Sequence, residues 1–184
     1  EICDGTIALL KNPKTTTDKL LDIIKAPDFA GGANLIYDRE QLKQIYETGS
    51  GTFKMRARYN FDKQRSMIEI TQIPYSTSIE AIIGKITELI KQGKFREISD
   101  IRDEIDLSGF KLTIDLKRGV DPDALMLKLF KITPLEDSFG CNFNILIAGM
   151  PKVMGVKEII DEWLAFRTEC IKRRTFYSLS KAKE

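Results

Sequence analysis

The chain has 184 residues, a net charge of +2 and an apolar share of 42%. This composition is typical of a globular protein with a buried core, and any affinity for nucleic acid must come from clustered charge. The absence of histidine excludes a Ser-His-Asp or Cys-His apparatus and HExxH metal chemistry within this chain. The three cysteines lack CxxC spacing, and no apolar run approaches about 18 residues, so we expect an intracellular, soluble protein without a zinc site.

Two short helices are predicted at the start of the chain, Ile2 to Leu10 and Thr15 to Lys25. Asn12-Pro13 ends the first helix and Ala26-Pro27 ends the second, because the residue before a proline disfavours the helical region. The chain starts with Glu1 and finishes inside a charged amphipathic segment. We therefore expect a fragment of a longer protein.

A third helix is predicted from Asp38 to Glu47, where Asp38 is a candidate N-cap and Gln41 occupies the capping-box position. Gly49 lies just past its end, where glycine commonly stops a helix. A strand over residues 52–59 is expected to follow this glycine-rich turn.

The strand over residues 52–59 carries the main candidate site. Successive side chains on a strand point to opposite faces. One face then holds Phe53, Met55, Ala57 and Tyr59, and the other holds Lys54, Arg56 and Arg58. The three cations form a row roughly 13 Å long, which suits a line of phosphates. The alternative is a solvated strand face, or a sheet edge protected by charge.

The remaining pattern alternates helices and short strands. The predicted strands are Met67 to Ile73, Glu97 to Ile101, Phe110 to Lys117 and Phe139 to Met150, and the predicted helices are Thr77 to Gln92, Asp121 to Ile132 and Val156 to the end. Thr77 with Glu80 reads as a capping box. The first of these strands is expected to form an antiparallel hairpin with the basic strand. The order predicts an α+β domain followed by a projecting helix.

Lys172, Arg173 and Arg174 on the last helix form a second basic group. It is a second candidate for phosphate contacts, and the alternative is the polar side of an exposed helix.

Two further motifs favour structural roles. The acidic run with Asp100, Asp103, Glu104 and Asp106 has oxygen ligands for Mg²⁺ or Ca²⁺, or a pair of carboxylates for acid/base chemistry. Its spacing departs from the EF-hand pattern, so a structural or solvated loop is favoured and no metal site is predicted. The TGSG segment lacks the Lys-Ser/Thr ending of a P-loop and precedes a strand, which argues against an ATP site.

The sequence resembles the A subunits of bacterial type IIA DNA topoisomerases, meaning DNA gyrase or topoisomerase IV. The resemblance is carried, in order, by PDFAGGA (27–33), YETGSGTFKMRARY (46–59), IEITQIPYSTS (68–78), EISDIRDEIDLSGFKLTIDLKRG (97–119) and TPLEDSFGCNFNIL (133–146). The final helical segment looks like the beginning of the family's coiled-coil arm. The match covers essentially the whole chain.

The resemblance implies a domain organisation. Residues 1–34 are expected to be the tail of a winged-helix domain with its connection, residues 35–155 a tower domain with a short antiparallel sheet and packed helices, and residues 156–184 the start of a long coiled-coil helix. The family's attacking tyrosine lies in an Arg-Tyr motif of the winged-helix domain, upstream of Glu1. No catalytic residue is therefore expected here, and the fragment alone should be inactive.

The resemblance also implies partners and cofactors. The intact family is a cytoplasmic, nucleoid-associated bacterial A2B2 enzyme that cuts one duplex and passes another through it. It contains an A-subunit homodimer and two ATPase B subunits, and the B subunit uses Mg²⁺ and ATP, so no cofactor is expected in this fragment. The tower flanks the cleaved, bent DNA, which assigns Lys54, Arg56 and Arg58 to phosphate contacts. The family often has arginine at Ser50 and lysine at Ile79, and the alternative is a purely structural spacer or dimer-arm module without DNA affinity.

Overall fold

The computed structural model describes residues 1–107 and 109–184. Within them, the helices are α1 (Ile2–Lys11), α2 (Thr17–Ile23), α3 (Arg39–Thr48), α4 (Ile79–Lys91), α5 (Pro122–Ile132) and α6 (Val156–Lys183). The strands are β1 (Asn34–Leu35), β2 (Ser50–Arg56), β3 (Arg58–Asp62), β4 (Met67–Gln72), β5 (Ile98–Asp103), β6 (Leu112–Leu116), β7 (Glu136–Asn142), β8 (Asn144–Ile147) and β9 (Met150–Val153). Six helices combined with small antiparallel sheets agree with the predicted α+β class.

The chain divides into two compact units. Unit 1 contains Glu1–Pro27, Asp38–Thr52 and Gly140–Glu184, and unit 2 contains Asp28–Tyr37 and Phe53–Phe139. These borders differ from the predicted division at residues 34 and 155, which concerns the domains of a longer protein and stays a prediction.

Unit 2 is built around a four-stranded sheet in the order β3-β4-β6-β5. Its core combines apolar side chains of the sheet with those of α4 and α5, all nearly inaccessible to solvent: Ile68, Ile70, Leu112, Ile114, Ile82, Ile86, Met126 and Leu129. The predicted inward face of the strand after Phe110 is confirmed at Leu112, Ile114 and Leu116. Thr113 is equally buried, and its hydroxyl donates to Glu104 Oε2 at 2.9 Å, because a buried hydroxyl needs a partner.

Unit 1 packs α1, α2, α3 and α6 together. Its buried residues include Leu9, Leu20, Leu21, Leu42, Ile45 and Ile160. Two glycines permit close backbone contacts: a Cβ on Gly49 would overlap the carbonyl oxygen of Met154, and one on Gly155 would overlap that of Tyr46. None of the described helices is both long and apolar enough to cross a bilayer.

Most predicted helix ends are confirmed. Asp38 accepts from the Gln41 amide at 3.1 Å, and Gly49 adopts a left-handed φ of 77° at the end of α3. Asp121 caps α5 ahead of Pro122. The predicted cap of α4 was wrong by one residue, because the hydroxyl of Ser78, and not that of Thr77, accepts from the amide at the start of the helix.

The predicted strand over residues 52–59 is two strands. β2 belongs to the sheet β1-β2-β7, whereas β3 belongs to β3-β4-β6-β5. Ala57 lies between them, and its amide donates to the carbonyl of Leu135 at 2.7 Å. The chain thus changes sheets at Ala57 while its alternation of buried and exposed side chains continues.

The predicted strand from Phe139 to Met150 is three strands, β7, β8 and β9. β8 and β9 form a hairpin in which Ile147 opposes Met150. Ala148 and Gly149 join them with positive φ angles of 50° and 82°, which is the geometry of a two-residue turn matched to strand twist.

Candidate nucleic-acid interface

The two faces predicted for the basic strand are present. Phe53, Met55 and Ala57 are each almost fully buried, at 1% exposure. The side chains of Lys54 and Arg56 are 62% and 40% exposed. The apolar face therefore fixes the backbone of β2, and the cations project from the opposite face.

Glu136 on β7 lies beside both cations of β2. Its side chain is only 14% exposed, Arg56 Nε donates to its Oε2, and Lys54 Nζ lies 3.6 Å from its Oε1. The guanidinium carbon of Arg56 is also 4.9 Å from the centroid of the Phe130 ring, a cation–π arrangement. One carboxylate thus offsets part of the charge that Lys54 and Arg56 present to solvent.

Arg58 lies on β3 and is exposed. Among the described residues it has no carboxylate within ion-pair distance. The strand register shifts between Arg58 and Tyr59, and Arg58 is in a different sheet from Lys54 and Arg56. The three cations are consequently not a single straight row along one strand.

Tyr59 follows Arg58, so an Arg-Tyr pair does occur in this chain. Its hydroxyl donates to Asp123 Oδ1 at 2.8 Å. Burial and this hydrogen bond raise the pKa of Tyr59 to about 12. The same hydrogen bond ties β3 to the first turn of α5, where Asp123 lies.

The second basic group lies in α6 and is exposed. Lys172 Nζ is 3.1 Å from Glu169 Oε1, and Arg173 contacts the sulfur of Cys170 at 3.6 Å. Consecutive residues of a helix are about 100° apart around its axis, so Lys172, Arg173 and Arg174 do not form one face. Their assignment to DNA stays a prediction.

The acidic run is partly a strand rather than a loop, because β5 extends to Asp103. Glu104 is 3.0 Å from Arg102 and 3.6 Å from Lys111. The hydrogen bond from the Thr113 hydroxyl lowers the pKa of Glu104. Within residues 1–107 and 109–184, no group of three or more His, Cys, Asp or Glu side chains is placed to hold a metal ion.

Sequence reasoning missed another group of cations. Lys63, Arg65, Lys94, Arg96, Lys117 and Arg118 lie in three loops of unit 2 and are all exposed. They are far apart in sequence, and each loop alone resembles an ordinary charged turn. Only the strand pairing places the three loops at the same end of the sheet.

The comparisons with known proteins all identify the same family. The sequence model for the A subunit of DNA gyrase/topoisomerase IV matches residues 1–184. The DNA gyrase A subunit of Neisseria gonorrhoeae is 38% identical over 185 residues, which is 98% of this chain and 20% of that protein. The DNA gyrase A subunit of Synechocystis sp. is 37% identical over 191 residues, covering 100% of this chain and 22% of the relative. A probable chloroplastic/mitochondrial DNA gyrase A subunit of Oryza sativa subsp. japonica is 36% identical, covering 100% and 20%. The chain spans about a fifth of the length of these relatives.

Proposed function

This chain belongs to the family of DNA gyrase and topoisomerase IV A subunits, and we propose that it is part of the DNA breakage–reunion subunit of a type IIA topoisomerase. The relatives are each about five times longer than the matched region. The proposed activity, cutting one duplex and passing another through it, therefore belongs to the longer protein. The fragment alone is proposed to be inactive, with the attacking tyrosine upstream of Glu1.

The proposed role of residues 35–155 is that of a tower domain that supports and bends the cleaved duplex. Strong bending of DNA costs on the order of 1–6 kcal/mol, which contacts to the phosphates must offset. The observation that carries this proposal is the placement of Lys54 and Arg56 outward from a strand whose other face is buried. Arg58 adds an exposed cation on the next strand.

The proposed partners are double-stranded DNA, a second A subunit and the ATPase B subunit. Mg²⁺ and ATP would be used through the B subunit, in the bacterial cytoplasm at the nucleoid. Residues 156–184 are proposed to begin the coiled-coil arm. Large apolar side chains exposed along α6 support that part, including Ile171, Phe176 and Leu179, because a coiled coil buries such residues against a second helix.

Duplex binding by the 184-residue chain tests the supporting role. We expect weak binding and no cleavage, measured by fluorescence anisotropy of a labelled duplex. If Lys54, Arg56 and Arg58 each neutralise one phosphate, affinity falls about 40-fold between about 50 and 200 mM salt, and by about 3.5-fold if only one does so. The variant with Lys54→Ala, Arg56→Ala and Arg58→Ala should bind more weakly and with a shallower salt slope.

A matched control carries Lys11→Ala, Lys14→Ala and Lys19→Ala, three exposed cations of unit 1 that remove the same charge. Its binding should stay within about twofold of the parent chain, since weak long-range charge effects are screened at these salt concentrations. Salt-independent binding, or unchanged binding by the strand variant, would contradict the assigned contacts.

The second candidate function is a structural spacer or dimer-arm module without DNA affinity. The pairing of both Lys54 and Arg56 with Glu136 favours it, as does the lack of a cation at Ser50 and Ile79. Absence of duplex binding at about 50 mM salt, where phosphate contacts are strong, would select this function.

A further inference from the structure

One end of the four-stranded sheet gathers three loops. Met67 opposes Asp115, and Ile98 opposes Leu116, in antiparallel pairs. The amide of Leu116 donates to Ser66 O and that of Lys117 donates to Glu97 O, both at 2.9 Å. These bonds place the turn at residues 63–66, the segment 92–97 and the segment 117–121 side by side.

The three loops carry an excess of positive charge. We call the set Lys63, Arg65, Lys94, Arg96, Lys117 and Arg118 the basic end. Only Arg65 has an ion pair among the described residues, at 4.0 Å from Asp62. The other five cations of the basic end are exposed, and no carboxylate of residues 1–107 and 109–184 lies within ion-pair distance of them.

Most carboxylates near the basic end bond to groups outside it, Asp100 on β5 being an exposed exception and Asp62 the partner of Arg65. Asp115 is 3.1 Å from Arg102. Glu97 is 2.9 Å from Lys128 on α5, and that hydrogen bond lowers the pKa of Glu97. Asp121 accepts from the amides of Asp123 and Ala124 as the cap of α5. The acidic side chains Asp103 and Glu104 lie toward the opposite end of the sheet, since Asp103 pairs with Leu112 at the start of β6.

This segregation of charge differs from an ordinary solvated surface, where both signs are interspersed. The basic end also lacks any exposed large apolar side chain in its three loops. A protein–protein interface normally contains an apolar or aromatic centre. An extended polyanion requires only cations, which favours nucleic acid over a protein partner.

The dimensions fit a duplex. Neighbouring strands are about 4.8 Å apart, so the three loops span about 10 Å before their long side chains are added. The grooves of B-DNA are about 6 and 12 Å wide. Cations from adjacent loops can therefore reach phosphates on both sides of one groove.

We propose that the basic end is a second backbone contact for duplex DNA on unit 2, independent of base sequence. This inference rests on the proposed function of supporting DNA. It differs from the strand contact in its residues and in its charge, because no carboxylate of the described chain neutralises five of its six cations.

The test uses the 184-residue chain with Lys94→Ala, Arg96→Ala, Lys117→Ala and Arg118→Ala. We expect duplex affinity at about 100 mM salt to fall about tenfold or more, and the salt slope to decrease by about 2 to 4. The charge-matched control carries Lys11→Ala, Lys14→Ala, Lys19→Ala and Lys25→Ala in unit 1, and should change affinity less than about twofold. Circular dichroism checks that both variants are folded.

A footprint of the unmutated chain gives an independent measurement. Lysine acetylation with and without duplex, followed by mass spectrometry, should show clear protection of Lys63, Lys94 and Lys117. Lys11 and Lys14 should react equally under both conditions. Protection only of Lys54 would contradict the proposal.

The possible results distinguish the inference about the basic end from the proposed role of the chain in supporting DNA. If the parent chain binds duplex and the basic-end variant binds equally well without a footprint, the inference is wrong and the supporting role stands. If the parent chain fails to bind duplex at low salt, both are overturned. If poly-glutamate displaces the duplex at a charge concentration well below that of the duplex, the surface prefers an acidic protein partner and the DNA assignment is overturned.

Discussion

The cations of β2 and those of the basic end differ in what surrounds them. Lys54 and Arg56 sit on a rigid strand with Glu136 between them and the Phe130 ring beneath Arg56. The basic-end cations sit on loops and are largely unpaired among the described residues. The β2 pair is therefore partly neutralised, whereas the basic end offers more unpaired charge. A cation's direction follows from local pattern, while its available charge depends on distant residues.

The largest expected effect is the loss of stability when the Phe130 ring beneath Arg56 is removed. Phe130 is 8% exposed, and its ring lies 6.2 Å from that of Tyr59. Phe130→Ala should lower the free energy of unfolding by about 3 kcal/mol through lost burial and a cavity. Urea denaturation measures this, with Phe176→Ala as a control because Phe176 is 72% exposed. Equal stability of the two variants would contradict the expected contribution of the buried Phe130 ring to the packing.

The next effect concerns Glu136. Glu136→Gln removes the charge that faces Lys54 and Arg56, so the free energy of unfolding should fall by about 1.5 kcal/mol. Duplex affinity should rise about threefold, because both cations become available to phosphates. Anisotropy and urea denaturation measure the two opposite changes.

Glu88→Gln is the control for Glu136→Gln, since Glu88 pairs with Lys85 on the exposed side of α4. It makes the same charge change without releasing the β2 cations. A rise in affinity equal to that of Glu136→Gln would mean that net charge alone explains the gain, and the contrast between the two cation groups would weaken.

The third prediction concerns the stability that the Tyr59 hydroxyl gives to β3, the strand that carries Arg58. Its folded pKa of about 12 exceeds the ordinary value of 10.0, so the stability from its neutral hydroxyl is complete below pH 10 and is lost as pH rises toward 12. Ultraviolet absorbance of the phenolate should show a late transition near pH 12. Tyr59→Phe should remove that late transition and cost about 1 kcal/mol. A late transition that survives in Tyr59→Phe would assign it to another tyrosine.

The smallest effects compare single cations. Lys117→Ala should lower duplex affinity about twofold and reduce the salt slope by up to about 0.9, the loss of one phosphate contact. Lys54→Ala should lower affinity by less than about 1.5-fold, because Glu136 already offsets its charge at 3.6 Å. Anisotropy at several salt concentrations distinguishes them. A larger loss for Lys54→Ala would reverse the ranking of the two groups.

Local pattern was sufficient for much of the fold. The burial of Phe53, Met55 and Ala57 follows from alternation, and the ends of α3 and α5 follow from Asp38, Gly49 and Asp121. Thr77 and Ser78 are both good N-caps within reach of the same turn, so sequence alone could not choose between them.

The remainder depended on contacts between distant residues. The change of sheet at Ala57 leaves the alternation of buried and exposed side chains intact. It is visible only in the strand pairing, where β2 joins β1 and β7 and β3 joins β4. Glu136 is far in sequence from the cations it pairs with. The basic end arises from the register of β4, β5 and β6, which no single loop encodes.

Helix α6 is long enough to turn a small tilt into a large displacement of its end. Its 28 residues correspond to a length of about 42 Å, and nearly every side chain after Leu164 is exposed. Its start is held where Gly155 meets the carbonyl of Tyr46 too closely to admit a side chain. Ile160 is buried among the helices of unit 1, so the exposed part after Leu164 is the arm that a tilt of the helix moves. A tilt of about 10° would displace the end of that arm by about 5 Å.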